Sequence, residues 1–238
     1  MKITIKKPLA ITIIMLAGLA LIISLITQSA NAKEFTQLSK KNQVLMQNYM
    51  PESNSPHVVV EFFSYACPHC YSLEPEIKKW SSTHKDVLFI KMPVSYNGGA
   101  WEVLAKAYYI SVALGKEKFF SPLIFKEIHV MHKNLNDEEA LKIFFVKNGV
   151  SAKQFDQLYN SFGITQQLRQ NATLVKAINL MSVPILVVDG KYITSPSQAK
   201  SISKMFKVID GLLKPKATEK PNEVVKPREA GKPKEAKS

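Results

Sequence analysis

Two cysteines are all that the 238 residues contain, and both lie in Cys67-Pro68-His69-Cys70. A scaffold held by several disulfides is thereby excluded, and whatever the two thiols do they do as a pair. No second Cys-x-x-Cys follows, so a tetrahedral zinc site would be two ligands short. His129 and His132 offer the only other metal-type spacing, and such a pair on a helix surface is more commonly incidental; no metal is expected. Haem attachment requires His directly after the second cysteine, where this chain has Tyr71. No glycine-rich nucleotide loop, catalytic carboxylate pair or aromatic-basic surface is evident, so no nucleic-acid partner is expected.

Hydrophobic residues make up 46% of the chain and charged residues 21%. That ordinary globular balance excludes collagenous, wholly disordered and multi-span membrane chains. The net charge of +13 is drawn partly from the ends. Residues 1–32 hold three lysines and no acid, Lys214–Ser238 hold eight basic and four acidic residues, and +6 remains for the 181 residues between.

The amino terminus reads as an address. Lys2, Lys6 and Lys7 precede an apolar run from Leu9 to Ile26, and Ala30-Asn31-Ala32 follows. This is the order of a signal peptide over residues 1–32, cut after Ala32. A retained anchor is the alternative, because the run just reaches spanning length. Either outcome carries the body across a membrane, into a compartment where thiols can be oxidised. At the other end, Lys214-Pro215, Lys220-Pro221, Lys226-Pro227 and Lys232-Pro233 recur every six residues. Proline at that density forbids a continued helix, and the few apolar residues cannot offset the entropy of ordering. Residues 214–238 therefore read as an extended, solvated tail: a spacer, or a tether to anionic envelope polymers.

Between the ends, His57–Phe63 is a β-branched and aromatic run that predicts a buried strand. Helix formers with apolar spacing at Leu73, Ile77 and Trp80 follow from Pro68 to about Ser82, then a second strand at Val87–Met92. Helical periodicity covers Ala100–Leu114, Phe119–His132, Asp137–Asn148, Ala152–Phe162 and Thr165–Asn179, with Gly149 and Gly163 taken as breaks. Strand signals return at Ile185–Val188 and Lys191–Thr194 around Asp189-Gly190, and a last helix is expected at about Ser197–Leu212. A βαβ half and a ββα half, residues 33–99 and 180–213, thus flank a helical insertion over 100–179, and the fold class is α/β. Asn171-Ala172-Thr173 fits a glycosylation acceptor, a triplet common by chance.

The cysteine pair follows a strand and opens a helix. Cys67 would sit at the helix start, where unpaired N–H groups and the positive dipole end favour an anion. Pro68 suits the first turn because its missing N–H would have been unpaired anyway. His69 can add a titratable positive charge near the same sulfur. A thiolate favoured in this way stabilises the reduced pair and makes the disulfide a good oxidant. Cys70, one turn further in, is expected to be buried and to act as the resolving thiol.

Glu61-Phe62-Phe63-Ser64-Tyr65-Ala66-Cys67-Pro68-His69-Cys70-Tyr71 resembles the active-site segment of the bacterial DsbA family. Val94-Ser95-Tyr96-Asn97-Gly98-Gly99, Ala113-Leu114-Gly115, Asn148-Gly149-Val150 and Val183-Pro184 before Asp189-Gly190-Lys191-Tyr192 continue the resemblance in the same order. It spans about Ser53 to Phe206. The resemblance implies a thioredoxin-like fold with an inserted all-helical domain, and a dithiol oxidase that passes a disulfide to unfolded secreted proteins with reduced cysteines. It also implies reoxidation by a quinone-linked membrane partner similar to DsbB, no cofactor beyond a redox-active Cys67–Cys70 disulfide, and a monomer. Cys67 then matches the attacking cysteine, Pro68 and His69 the dipeptide that tunes it, and Cys70 the resolving cysteine. Pro184 after Val183 matches a cis-proline beside the site, leaving the Val183 backbone to pair with substrate; alone, Pro184 would read as a strand-start proline. Glu61 and Lys91 stand in apolar strands where an unpaired charge is costly, so mutual pairing is expected. The family places an acid and a lysine there, near the buried sulfur, and Glu74 matches an acidic position on the following helix. Pro93 departs from the family, whose best-known members carry histidine, and the Lys-Pro tail is foreign to it. A disulfide isomerase or reductase is the neighbouring alternative, and a chaperone-like binder of unfolded envelope proteins the alternative from another class.

Overall fold

A computed structural model describes residues 33–96 and 98–214. The leader segment, Asn97 and the Lys-Pro repeats beyond Lys214 lie outside the described residues. Among those described, no helix is long and apolar enough to cross a membrane.

Five strands form one mixed sheet, in chain order β1 (Thr36–Gln37), β2 (His57–Phe63), β3 (Val87–Pro93), β4 (Ile185–Val188) and β5 (Tyr192–Thr194). Their spatial order is β1-β5-β4-β2-β3, with β2 parallel to β3 and every other pair antiparallel. β2 is an interior strand between β4 and β3, and His57-Val58-Val59-Val60-Glu61-Phe62-Phe63 is apolar almost without a break because both of its faces are covered. Alternation along the strand sorts the side chains. Val59 points with Leu186 and Val188 into one core, against Leu73, Ile77 and Trp80 of α2 (Pro68–Thr83) and Met205, Phe206 and Ile209 of α8 (Ile202–Leu213). Val60, Phe62 and Val187 point into the opposite core, where Met46 of α1 (Lys40–Tyr49) packs beside Leu174 and Val175 of α7 (Phe162–Ala177).

Five consecutive helices fill the connection from β3 to β4: α3 (Ala100–Ala113), α4 (Glu117–His129), α5 (Glu138–Lys147), α6 (Ala152–Tyr159) and α7. Their apolar faces, including Leu104, Phe120, Ile124, Leu141, Phe145 and Phe155, merge into one cluster with Phe63, Tyr65, Cys67 and Cys70. The sulfur pair therefore lies at the seam between the helical insertion and the end of the central strand.

The structure departs from the sequence expectation in three places. β1 and α1 were not anticipated. Only Gln43 and Met46 of α1 are buried, so it carries just a short apolar face; Ser39 Oγ, accepting from Asn42 N–H at 3.3 Å, caps its start. Gly163 does not break a helix but sits inside the first turn of α7, which Ser161 caps by accepting from Ile164 N–H at 3.3 Å. The last helix begins at Ile202 rather than Ser197, because Ser201 is its cap and the residues before it form turns. The Asn171 triplet, discounted in the sequence as a chance match, is closed to modification: Asn171 is 2% exposed and its amide nitrogen donates to Pro93 O and to the Tyr109 hydroxyl. A folded chain cannot offer that nitrogen to a glycan, which belongs on an exposed loop.

The Asp189-Gly190 turn between β4 and β5 takes positive φ at both residues, 49° and 64°, the left-handed pair that this dipeptide serves in hairpins. A Cβ on Gly190 would meet Met50 Cε at 3.0 Å and Met46 Cβ at 3.4 Å, so α1 is built against the hairpin. Met46 is fully buried, and Met46→Ala is expected to destabilise the protein by about 2–5 kcal/mol in urea unfolding. A cost under about 1 kcal/mol would mean that α1 is not part of the core.

Candidate active site

Cys67 is the N-cap of α2, in extended backbone at φ −89° and ψ 116°, and Pro68 opens the helix. The turn before it is closed by Cys67 N–H donating to Ser64 O at 3.1 Å and Ala66 N–H to Ser64 Oγ at 3.2 Å. Both cysteines are free thiols. Cys67 keeps a small exposed area, 8%, whereas Cys70 keeps none.

The two sulfurs have opposite acidities. The Cys67 thiol is brought down to about 6, chiefly by a hydrogen bond from the Cys70 thiol; partial burial opposes this, and the N–H groups of Cys70 and His69 and the charge of His69 add to it. Cys70 is pushed far up, first because its proton is held in that bond to Cys67 and then by burial and the nearby Glu61 carboxylate. The imidazole of His69 thus contributes least among the groups that favour the thiolate. The neighbouring thiol and the helix N-terminus contribute more.

Glu61 and Lys91 are directly opposite each other in the parallel β2–β3 ladder. The Lys91 Nζ–Glu61 Oε2 separation is 3.7 Å, an ion pair longer than a hydrogen bond. The ammonium instead gives its hydrogen bond to Glu74 on α2, which lies one turn beyond Cys70 and so on the same helix face. Glu61 is completely buried, and both its carboxyl oxygens lack a donor among the described residues. Burial lifts its carboxyl to about 7, with Lys91 resisting and Glu74 assisting. Lys91 is raised: burial alone would lower it, and the Glu61 and Glu74 carboxylates outweigh that.

The Val183–Pro184 bond is cis, and Cys67 Sγ lies 3.6 Å from Val183 O. Pro68, His69, Val183 and Pro184 are thereby gathered with the sulfur pair at one end of the sheet. Glu61, Lys91 and Glu74 form a group behind Cys70. Pro93, at the end of β3, accepts the Asn171 amide on its carbonyl at 3.2 Å.

Other side chains at the site have no role in it assigned from the sequence, where His129 and His132 stand out only as a metal-type pair. Tyr65, two residues before Cys67, is 1% exposed, and its hydroxyl is hydrogen-bonded to Ser121 on α4. His129, at the end of α4, places Nε2 2.8 Å from Tyr65 O and stacks on Tyr71 at 5.1 Å between centroids. His132 has φ 52° and is exposed, so the histidine pair shares no centre; no metal cluster exists among the described residues. Tyr96 has a buried hydroxyl without a partner among the described residues, and burial together with the charges of Cys70 and Cys67 pushes it up to about 12. These residues carry ordinary core side chains, so nothing in their type or spacing separates them from packing.

Comparison with known proteins agrees with this arrangement. The family model for the DSBA-like thioredoxin domain matches residues 58–205. The thiol:disulfide interchange protein DsbA of Pseudomonas aeruginosa is 32% identical over 202 residues, covering 84% of this chain and 94% of its own. The DsbA of Burkholderia cepacia is 34% identical over 203 residues, covering 84% and 95%. The crystal structure of Pseudomonas aeruginosa DsbA superposes with a TM-score of 0.65, covering 76% of this chain and 91% of its own at 32% identity. A Proteus mirabilis DsbA solved with a non-covalently bound peptide, 28% identical, gives 0.57 over 76% of this chain and 96% of its own. The chain belongs to the DsbA family: it is a thiol:disulfide oxidoreductase with a thioredoxin-like fold and a helical insertion.

Proposed function

We propose that Cys67 and Cys70 form the redox-active disulfide, with no other cofactor, and that Cys67 is the sulfur that substrate attacks. A substrate thiolate bonds to Cys67 Sγ as the Cys67–Cys70 bond breaks, and the electron pair goes to Cys70, which takes up a proton. A second substrate thiolate then attacks the substrate sulfur of the mixed disulfide, and Cys67 departs as a thiolate. The substrate leaves oxidised and the enzyme reduced. The observation that carries this reading is the split between the sulfurs: a thiol brought down to about 6 leaves readily, whereas its raised neighbour holds a proton.

Glu61 is assigned the proton exchange of Cys70. Its carboxyl, near 7 and deprived of donors, can give or take a proton around neutrality, and its charge acts on that sulfur. Lys91 and Glu74 set its charge in opposite directions, the ammonium favouring the carboxylate and the second acid opposing it. Val183 O and the cis-Pro184 turn offer backbone to an extended segment of substrate beside Cys67. The substrates are unfolded secreted proteins with reduced cysteines in the periplasm, reached through the leader, and a DsbB-like quinone reductase restores the disulfide.

A double Cys67→Ser, Cys70→Ser variant is expected to give no complementation of a disulfide-formation defect; full complementation overturns the reading. Glutathione equilibrium separates oxidase from reductase, the oxidase giving up its disulfide to reduced glutathione.

The depressed Cys67 value also fixes a pH dependence. The folded reduced protein ionises this thiol at about 6 against 9.0 for an ordinary cysteine. The contribution to its stability is therefore complete above pH 9, falls away as pH drops towards 6, and is absent below. Reduced protein compared with Cys67→Ser in urea unfolding is expected to gain stability as pH rises across that window, by roughly 1–3 kcal/mol once solvent screening is allowed for. A flat difference between pH 6 and 9 would contradict a depressed thiol.

A further inference from the structure

α4 grips one residue at both ends. The Tyr65 hydroxyl is hydrogen-bonded to Ser121 Oγ, which itself donates to Glu117 Oε1 at 2.9 Å, and the Tyr65 carbonyl faces His129 Nε2 at 2.8 Å. All three partners lie on α4 or its last residue. Tyr65 in turn is two residues from Cys67, inside the turn closed by Cys67 N–H and Ser64 O. A carbonyl only accepts, so the contact requires hydrogen on Nε2, which both the Nε2–H tautomer and the imidazolium supply. The bond therefore survives protonation of the ring.

The same imidazole lies flat on Tyr71, 10° from parallel. Tyr71 is in the first turn of α2, and its N–H donates to Cys67 O at 3.1 Å. One ring of the insertion thus touches the chain on both sides of Cys67-Pro68-His69-Cys70. Upstream it holds the turn that delivers Cys67; downstream it holds the turn whose N–H groups face the sulfur.

We propose that His129 is a positioning residue for disulfide exchange, the hydrogen-bond donor by which the helical insertion holds the Cys67 turn against the N-terminus of α2. The groups that favour the thiolate, the Cys70 thiol and the N–H groups of Cys70 and His69, act only at hydrogen-bond range. A turn free to shift loses them together. His129 works through Tyr65 and need not approach substrate.

The inference deepens the proposed function and rests on Cys67 as the reacting sulfur. His129→Phe retains a flat ring over Tyr71 and removes the donor, and His129→Gln restores an N–H without the ring. Ultraviolet titration of the thiolate in the reduced full chain is the readout. The Phe variant is expected to move the Cys67 midpoint from about 6 towards 7. Its glutathione equilibrium at pH 7 should then shift about fivefold towards the disulfide, with slower oxidation of a peptide dithiol. The Gln variant is expected to return most of the shift. An unmoved midpoint in the Phe variant, even with a lower melting temperature, overturns the proposal, as does an equal shift in both variants. If the Phe variant does not fold, nitrogen chemical shifts of His129 in the native protein decide. Nε2 carrying hydrogen in the reduced form supports the clamp, and an Nδ1–H tautomer overturns it. Each readout is taken on Cys67 or on the ring itself, so a failed clamp stays distinguishable from a failed oxidase, which complementation reports.

Discussion

The thiolate at the head of α2 is the interaction on which the rest of the structure depends. A sulfur anion in a largely covered position is unfavourable by default, because burial works against charge. Here that penalty is overcome by groups the local fold supplies: the Cys70 thiol, two backbone N–H groups and, last, the His69 imidazole. Most of that set is backbone or the partner cysteine. Strand β2 aims the chain at the helix, Ser64 closes the turn, and Pro68 starts α2 without wasting an N–H. A helix that began one residue later would present the wrong amides to the sulfur.

Behind the sulfurs the logic reverses, and charge is buried without hydrogen bonds. Glu61 occupies the centre of the sheet with Lys91 opposite at 3.7 Å, while the ammonium bonds to Glu74. Two acids thus share one base, and the fully buried acid is the one left short. The ammonium also lies 4.9 Å above the Phe63 ring, which lends it a further partner in an otherwise apolar place. Replacing such a group by hydrocarbon would commonly be neutral or stabilising. Its presence next to Cys70 is therefore not accounted for by the stability of the sheet, and is what the proposed proton exchange would require.

Much of this was legible in the sequence because the informative signals are local. A strand run ending three residues before Cys-Pro-His-Cys places the sulfur at a helix start, and alternation in His57–Phe63 places Glu61 on the α2 side of the sheet with Val59. Two acids and a lysine in or near apolar strands announce a pairing problem, though only the structure shows that Glu74 takes the hydrogen bond. The unread portions are the long-range ones. α1 shows only a short apolar face, with Met46 fully buried and Leu45 and Tyr49 half-buried against the sheet core. Gly163 looked like a break because a helix start capped by Ser161 tolerates what a helix middle does not. Tyr65, His129 and Tyr71 are brought together across 64 residues of chain, and no spacing rule connects them. The sequence did expose the histidine pair at 129 and 132, but as a metal question. The answer lies instead in a hydrogen bond from one of them.

The helical insertion has a physical reason to sit where it does. Without it, the end of β2 and the first turn of α2 would present Phe63, Tyr65 and Tyr71 to water beside the reacting sulfur. α3, α4 and the helices after them bury those rings in a single cluster that contains both cysteines. Edge-to-face contacts of Phe63 with Tyr65 at 5.1 Å and of Tyr65 with Phe125 at 4.8 Å fix the rings against one another. Excluding water there strengthens every electrostatic contact the thiolate makes, and it leaves Cys70 sealed while Cys67 stays accessible. That difference in access is the one the proposed exchange uses, with substrate meeting Cys67 first and Cys70 only through it. A sheet and two helices would suffice to place a cysteine at a helix start; the insertion adds the apolar cover under which Cys70 is closed and Cys67 keeps a small opening.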